Sequence, residues 1–307
     1  MLRELFAGAA PGVALGIGDD AALLSRPRED LAWSIDAAVE GVHFRRDWMS
    51  LEDVGYRATM AALSDLAAMS ATPLAVLAAL TLPTATDDAE LAAIARGQRA
   101  AAVELDAPIV GGNLARGDVL TITTTVLGEV ARGAQRSGAR AGDLVAAAGE
   151  LGFAGAGRMW LERGLSTDVF EARGALAAFR RPIARIAAGR DAARSGVTSM
   201  IDVSDGLATD AAQLAEASSV TIELDLVRVV DDELARLATS LGSEALELAL
   251  SGGEDYALLA TFPPSLPLPK SFRLLGRVTA KGEAAVLVVD AHGDRRPVSL
   301  AGFDHFR

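Results

Sequence analysis

The chain has no cysteine among its 307 residues. Disulfides, zinc–thiolate centres, iron–sulfur clusters and cysteine nucleophiles are therefore excluded. Histidine is almost as scarce, with His43, His292 and His305 alone, so no histidine-rich metal site is expected. Lysine occurs as Lys270 and Lys281 alone, and neither completes the Gly-Lys-Ser/Thr of a P-loop. The protein-kinase set of strand lysine, His-Arg-Asp and Asp-Phe-Gly is absent as well. A basic footprint is also missing, with 41 acidic against 29 basic residues and a net charge of −12, so nucleic acid is not an expected partner. No apolar run approaches the ~20 residues of a membrane span. The longest, around Leu74–Leu82, is closed by Pro73 and Pro83. The opening MLRELFAGAAPG lacks a basic head and a strong apolar core, so no signal peptide is expected, no membrane partner, and a cytoplasmic location.

What remains is ample for folding. Half of the residues are hydrophobic and 23% are charged, and a chain of 307 residues exceeds what one core usually serves, so two domains are expected. Aromatics are 5% and alanine is abundant, which predicts helices packed closely on small side chains. The acidic balance repels phosphates, so a bound nucleotide calls for a divalent cation beside it.

Along the chain, Leu31–Ile35 reads as a strand ending on Asp36. Ser50 opens a helix, with Asp53 placed for a capping box, that runs through Met69 and stops before Pro73. A second helix follows Thr86 to about Leu105; Ile109–Val110 reads as a strand entering a tight turn at Gly111-Gly112. Leu120–Val130 is a strand rich in Thr and Val, and the polar loop RSGARAGD marks a domain boundary near residue 140. The division is thus 1–140 and 141–307. Beyond it come strands at Leu144–Ala147, Met200–Val203, Val220–Leu224, Tyr256–Phe262, Phe272–Val278 and Ala285–Val289. The glycine-rich Gly149–Gly157 leads into a helix, and another spans Leu207–Ala217. Strands alternating with helices give an α/β or α+β class.

Acids at strand ends beside glycines are the chemical signature. Asp19 and Asp20 follow Gly16-Ile17-Gly18; Asp36 ends a strand; Asp202 and Asp205 flank Ser204 before Gly206; Glu254 and Asp255 follow Gly252-Gly253. Strand ends expose ligand sites in such folds, and aspartates are hard oxygen ligands suited to Mg²⁺. Each motif alone is also a common turn or cap; four together favour a shared metal site. Asp65, in the alanine-rich run Ala61–Ala68, is either turned to solvent or paired, because burying an acid alone is costly. Gly16-Ile17-Gly18 begins a dinucleotide-type pattern, but Asp19-Asp20 in that turn repels a pyrophosphate.

The stretches GIGDDAALL, SIDAAVEGVHF, LSDLAAMSATP, IVGGN, RSGARAGD, IDVSDGL, LSGGEDYAL and the terminal GFDHF occur in one order over nearly the whole chain. In that order they resemble the thiamine-monophosphate kinases, in the superfamily that includes aminoimidazole ribonucleotide synthetase. The resemblance implies transfer of the γ-phosphoryl of ATP to thiamine monophosphate. It implies a homodimer joined through the sheets of N-terminal ATP- and metal-binding domains, followed by a C-terminal α/β domain. It implies several Mg²⁺ ions at Asp20, Ser34, Ile35, Asp36, Asp65, Asn113, Asp202 and Asp205, with Asp36 and Asp65 central to catalysis. Gly112, Asn113, Arg136 and Ser204 fall at ATP, and His43, Glu254 and Phe303 on the thiamine side. Two positions depart from the family: Asn113 stands where it usually has Asp, and Ile35 where it favours Thr. If the latter contact uses the backbone carbonyl Ile35 is harmless; if it uses a hydroxyl, a ligand is lost. The alternatives are a related ATP-dependent enzyme with another acceptor, and a nucleotide or thiamine-phosphate binding protein with weakened catalysis.

Overall fold

A ten-residue strand rich in Thr, Ile and Val, Thr121–Val130, lies inside the first sheet. A computed structural model describes residues 29–298 and the backbone of Val13–Leu15 (β1) and Leu23–Leu24 (β2), which pair antiparallel. The chain divides into two compact units, 1–66 with 71–131, and 67–70 with 132–307. The first unit holds β3 (Asp30–Val39), β4 (Thr72–Leu82), β5 (Ile109–Arg116) and β6 (Thr121–Val130) in the order β3-β6-β4-β5. Alternate residues of β6, namely Ile122, Thr124, Val126, Gly128 and Val130, are buried, as expected of a strand with one covered face. It pairs antiparallel with β3 and β4, while β4 and β5 run parallel through a helical crossover.

The helices are α1 (Leu51–Ala68) and α2 (Asp88–Glu104). The capping expectation holds: Asp53 N–H donates to Ser50 Oγ at 3.1 Å, and Ser50 Oγ donates back to Asp53 Oδ2 at 2.8 Å. The close helix packing expected from small residues is seen at Gly55 and Gly97. A Cβ at Gly55 would lie 2.1 Å from the Ile94 carbonyl oxygen, and one at Gly97 1.8 Å from that of Glu52.

Three expectations are corrected. β3 extends four residues past Ile35, because β6 pairs with it residue for residue from Asp30↔Val130 to Val39↔Thr121; Asp36 is therefore inside the strand. The apolar run ending at Leu82 is itself a strand, which Pro73 enters at its second residue beside a register irregularity. Gly111-Gly112 is no turn but part of β5. A Cβ at Gly112 would sit 1.9 Å from the Ala78 carbonyl oxygen, so the bare backbone is what lets β5 lie against β4.

The second unit is a seven-stranded sheet flanked by helices. Its strands are β7 (Leu144–Ala148), β8 (Ser199–Val203), β9 (Val220–Asp225), β10 (Ala257–Phe262), β11 (Arg273–Ala280), β12 (Val286–Val289) and β13 (Arg295–Pro297). Their order is β13-β12-β9-β11-β7-β10-β8, with β12–β9 the one parallel pair among them. Strand β10 is buried throughout. Helices α3 (Phe153–Glu162), α4 (Arg173–Arg180), α5 (Ile186–Arg194), α6 (Leu207–Ser218), α7 (Leu226–Val229), α8 (Asp232–Leu241) and α9 (Ala245–Ser251) complete it. The mixed α/β class is as expected. Among the described residues no helix is long and apolar enough to cross a membrane.

Candidate active site

In the first unit the pleat sorts the candidates. Ala32, Ser34 and Asp36 take one face of β3, and Leu31, Trp33 and Ile35 the other. Ser34 Oγ donates to Asp65 Oδ2 at 2.5 Å, so the first face is turned toward α1. Asp65 is half-buried and paired with that hydroxyl rather than turned out to solvent. Asp36 is exposed, and its Oδ1 accepts the Ala37 N–H at 2.9 Å. The Ile35 side chain is 65% exposed on the opposite face, beside Trp33 at 75%. The Ile35 side chain is therefore turned away from Ser34 and Asp36.

Asn113 is not brought to these groups. It lies on β5, one edge of the sheet, while Asp36 lies on β3, the other edge. Three strand spacings separate them by about 14 Å along the sheet. The register also puts Asn113 in the row Ala37–Thr123–Ala79–Asn113, whereas Asp36 shares the row Asp36–Thr124–Ala78–Gly112. His43 follows the turn closing β3. Its Nδ1 accepts the Val39 N–H at 3.1 Å, which makes the neutral ring the Nε2–H tautomer.

The second unit gathers its candidates at one edge of three neighbouring strands. Strands β7 and β8 end there and the antiparallel β10 begins there, with Leu258 opposite Ala148 and Ala257 opposite Val203. The loop before β10 clamps onto the turn after β8: Glu254 N–H donates to the Ser204 carbonyl at 2.7 Å and Tyr256 N–H to that of Val203 at 2.9 Å. Glu254 and Tyr256 are held at φ +61° and +48°. Left-handed backbone in such residues costs on the order of 1 kcal/mol each and persists only where neighbours enforce it. Asp255 turns the other way. Its carboxylate accepts Gly152 N–H at 2.6 Å and Ala154 N–H at 3.0 Å, capping α3 from across the fold. Enclosure pushes that carboxyl up to about 7; the two N–H groups oppose the shift, while the charges of Glu150 and Glu254 add to it.

Asp202 is buried, and Ser204 and Asp205 are half-buried. Behind their turn lies Asp210, in the first turn of α6 and 1% exposed. Burial first, then the charges of Asp205 and Asp202, push its carboxyl up to about 8, against the pull of the Asp205 and Ser204 N–H groups. Arg136, exposed, extends from the loop before β7 and donates from Nη1 to Gln213 Oε1 at 2.8 Å. The side chains of Asp202, Ser204, Asp205 and Asp210 offer hard oxygen atoms, suited to Mg²⁺ rather than to a soft metal. Among the described residues no group of three His, Asp or Glu side chains is gathered closely enough to hold an ion by itself. Asp20 and Phe303, with Asp19 and His305, lie outside the described residues.

Residues 18–130 match the N-terminal domain model of the AIR synthase related proteins, and residues 140–289 match the C-terminal one. Thiamine-monophosphate kinase of Mycobacterium tuberculosis is 39% identical over 280 residues, covering 90% of this chain and 82% of that protein. The Escherichia coli K12 protein of the same name is 36% identical over 312 residues, covering 96% and 92%. The chain belongs to the thiamine-monophosphate kinase family. Among solved structures of that family, AaThiL complexed with AMPPCP and TMP is 32% identical with a TM-score of 0.82, over 94% of this chain and 92% of that one.

Sequence reasoning had no role for Asp210 or Gln213 in this kinase fold, and none for Asp255 beyond its place in an acidic pair. For Asp210 a signal existed. It sits among Ala208, Ala211, Ala212, Leu214 and Ala215, all buried, where an acid is costly unless it is used. Gln213 carried no such signal, since its role depends on what the loop at Arg136 brings to it.

Proposed function

We propose that this protein transfers the γ-phosphoryl of ATP to thiamine monophosphate, giving thiamine diphosphate. The observation that carries the proposal is the likeness over 94% of the chain to a family structure holding AMPPCP and TMP. Phosphoryl transfer asks for positioning and charge neutralisation, not covalent catalysis. The acceptor is a phosphate, anionic at neutral pH, so no strong general base is needed, in keeping with the scarcity of His and Lys.

In this reading Asp20, Ser34, Asp36, Asp65 and Asp202 hold Mg²⁺, Asp205 a further ion, and Ile35 contributes its carbonyl. When bound, Mg²⁺ supplies positive charge against the phosphate oxygens. Ser34 holds the Asp65 carboxylate in one orientation through their hydrogen bond. Arg136 forks onto phosphate oxygens, and Gly112 and Ser204 border the nucleotide. His43, Glu254 and Phe303 line the thiamine side, with Phe303 stacking on a ring and the constrained backbone aiming Glu254 at its polar or cationic part. We assign ATP and metal binding and dimerisation to residues 1–140 and the α/β partner domain to residues 141–307, in a cytoplasmic enzyme.

A homodimer joined on the first sheet belongs to the same proposal. Leu31, Trp33 and Ile35 are 50%, 75% and 65% exposed on β3, and Leu77 on β4 is in register with Ile35 through Thr125. A flat apolar face of this kind is a partner surface. Asn113 is turned to that face, about 14 Å along the sheet from Asp36 of its own chain, and its place at the ions and nucleotide is carried over from the family motif alone.

The test is ADP release from ATP coupled to thiamine diphosphate formation, with Mg²⁺, with chelator, and with Mg²⁺ restored. The expected result is turnover that vanishes in chelator and returns with the ion. ADP without thiamine diphosphate, or full turnover in excess chelator, overturns the reading.

A further inference from the structure

We propose that Gln213 is a positioning residue that fixes the reach of the Arg136 guanidinium relative to the Ser204–Asp205 turn. The inference rests on the reading of Arg136 and Ser204 as nucleotide contacts and names a determinant within it.

Helix α6 acts as a ruler between two loops. At its C-terminal end, Ser218 Oγ accepts from the N–H groups of Gly138 and Ala139, at 3.1 Å each, and donates to the Arg136 carbonyl at 2.9 Å. The backbone of the Arg136 loop is thereby docked to the last turn of the helix. The Arg136 side chain then runs back toward the helix start and donates to Gln213 Oε1 at 2.8 Å, five residues or about 7.5 Å along the axis. From there Gln213 Nε2 donates to Asp210 Oδ1 at 3.3 Å, one turn earlier on the same face. Asp210 Oδ2 in turn accepts the Asp205 N–H at 3.0 Å. An unbroken relay thus joins the guanidinium to the turn carrying Ser204 and Asp205.

The chemistry of the amide explains why glutamine serves here. One end must accept from an arginine while the other donates to an acid, and an amide does both. A carboxylate at 213 keeps the first contact but sets a second acid against Asp210, and neutralises the charge that Arg136 needs for phosphate. The amide leaves the guanidinium its full charge and its remaining N–H donors. An exposed arginine without this hold samples many rotamers, and binding an anion must then order it.

The experiment compares the full-length wild type with Gln213→Leu, Gln213→Glu, Arg136→Met and the double variant Arg136→Met/Gln213→Leu. Binding of a non-hydrolysable ATP analogue with Mg²⁺ is measured by calorimetry, together with KM for each substrate and kcat. Gln213→Leu is expected to weaken the analogue and raise KM for ATP about 5- to 20-fold, with KM for thiamine monophosphate changed by less than about twofold. Gln213→Glu fills the same volume and is expected to weaken ATP at least as much, which keeps the test decisive if the leucine variant folds poorly. In the Arg136→Met background the Gln213 change is expected to add nothing further. Equal loss for both substrates, additive losses in the double variant, or unchanged ATP binding in both Gln213 variants overturns the proposal. A wild type that binds the analogue but forms no thiamine diphosphate fails the acceptor reading, while the binding comparison still judges Gln213.

Discussion

Glu223 on β9 and Asp210 on α6 are buried acids of the same unit, 5% and 1% exposed, yet their surroundings drive them in opposite directions. Burial raises both. Around Glu223 it is outweighed by hydrogen bonds from Arg277 Nε at 2.8 Å and Arg295 Nε at 2.7 Å, with their charges, which hold the carboxyl below its usual range. Around Asp210 burial is joined by the charges of Asp205 and Asp202, and the carboxyl is pushed up to about 8. The first arrangement is complete and ties β11 and β13 to β9. The second sets the carboxyl groups of Asp202, Asp205 and Asp210 against one another at the edge where β8 ends, with Asp210 kept protonated toward neutral pH. An acid matched by arginines is held in its charged form; acids set against one another are perturbed in the way that groups at functional sites commonly are.

The sharpest way to break that contrast is to remove charge at each place. Asp202→Asn or Asp205→Asn is expected to cut kcat about 10²- to 10³-fold, or about 3–4 kcal/mol, with melting temperature held or raised because repulsion falls. Steady-state kinetics beside thermal melts checks it; near-normal turnover would make these acids purely structural.

Asp255 offers a pH version of the same contrast. Burial pushes its carboxyl up to about 7 from an ordinary 3.8, so the folded state holds a proton that the unfolded chain has released between those values. The stabilisation from this proton is full below about 3.8 and is lost as pH rises through about 7. Discounted for the part of the residue left in solvent, the loss is about 2–3 kcal/mol. Asp255→Asn is expected to flatten that decline in denaturant midpoints across the window; an unchanged slope refutes the assignment.

Glu223→Gln is the converse of the first test. Losing two charge-assisted contacts is expected to cost about 2 kcal/mol of stability and to leave kcat and both KM values near wild type. A large loss of activity in a stably folded variant would erase the distinction between the two acids.

The smallest expected effect is at Asn113. Asn113→Asp adds one carboxylate, worth a net ~1–2 kcal/mol after its own desolvation, and is expected to lower the Mg²⁺ concentration for half-maximal activity about 5- to 30-fold. Superimposable magnesium titrations would mean that this position does not limit metal binding.

Much of the fold was legible because local signals carried it. Ser50 with Asp53 marked the start of α1, and the Thr- and Val-rich alternation from Thr121 marked β6. Strand β4 was missed because a continuous apolar run has no period to read, and Pro73 mimicked a stop. Helices α4, α5, α8 and α9 are each ten residues or fewer and drew no separate reading. Within the site, the ordered motifs named the candidate residues, but their faces and partners came from pairing. Ile35 and Asp36 are adjacent in sequence and on opposite sides of a sheet.

Composition by itself determined that this protein works without thiols, without a P-loop and with a surplus of acid, because those properties need no geometry. The order of its motifs determined its family. Tertiary structure alone decided which acids are compensated and which are opposed, since the arginines that neutralise Glu223 lie 54 and 72 residues away along the chain. It also decided the place of Gln213, unremarkable in the sequence, between Arg136 at 77 residues' distance and Asp210 one helical turn away. Charge state in a fold depends on what stands within a few ångströms, and strand pairing and helix docking set those neighbours.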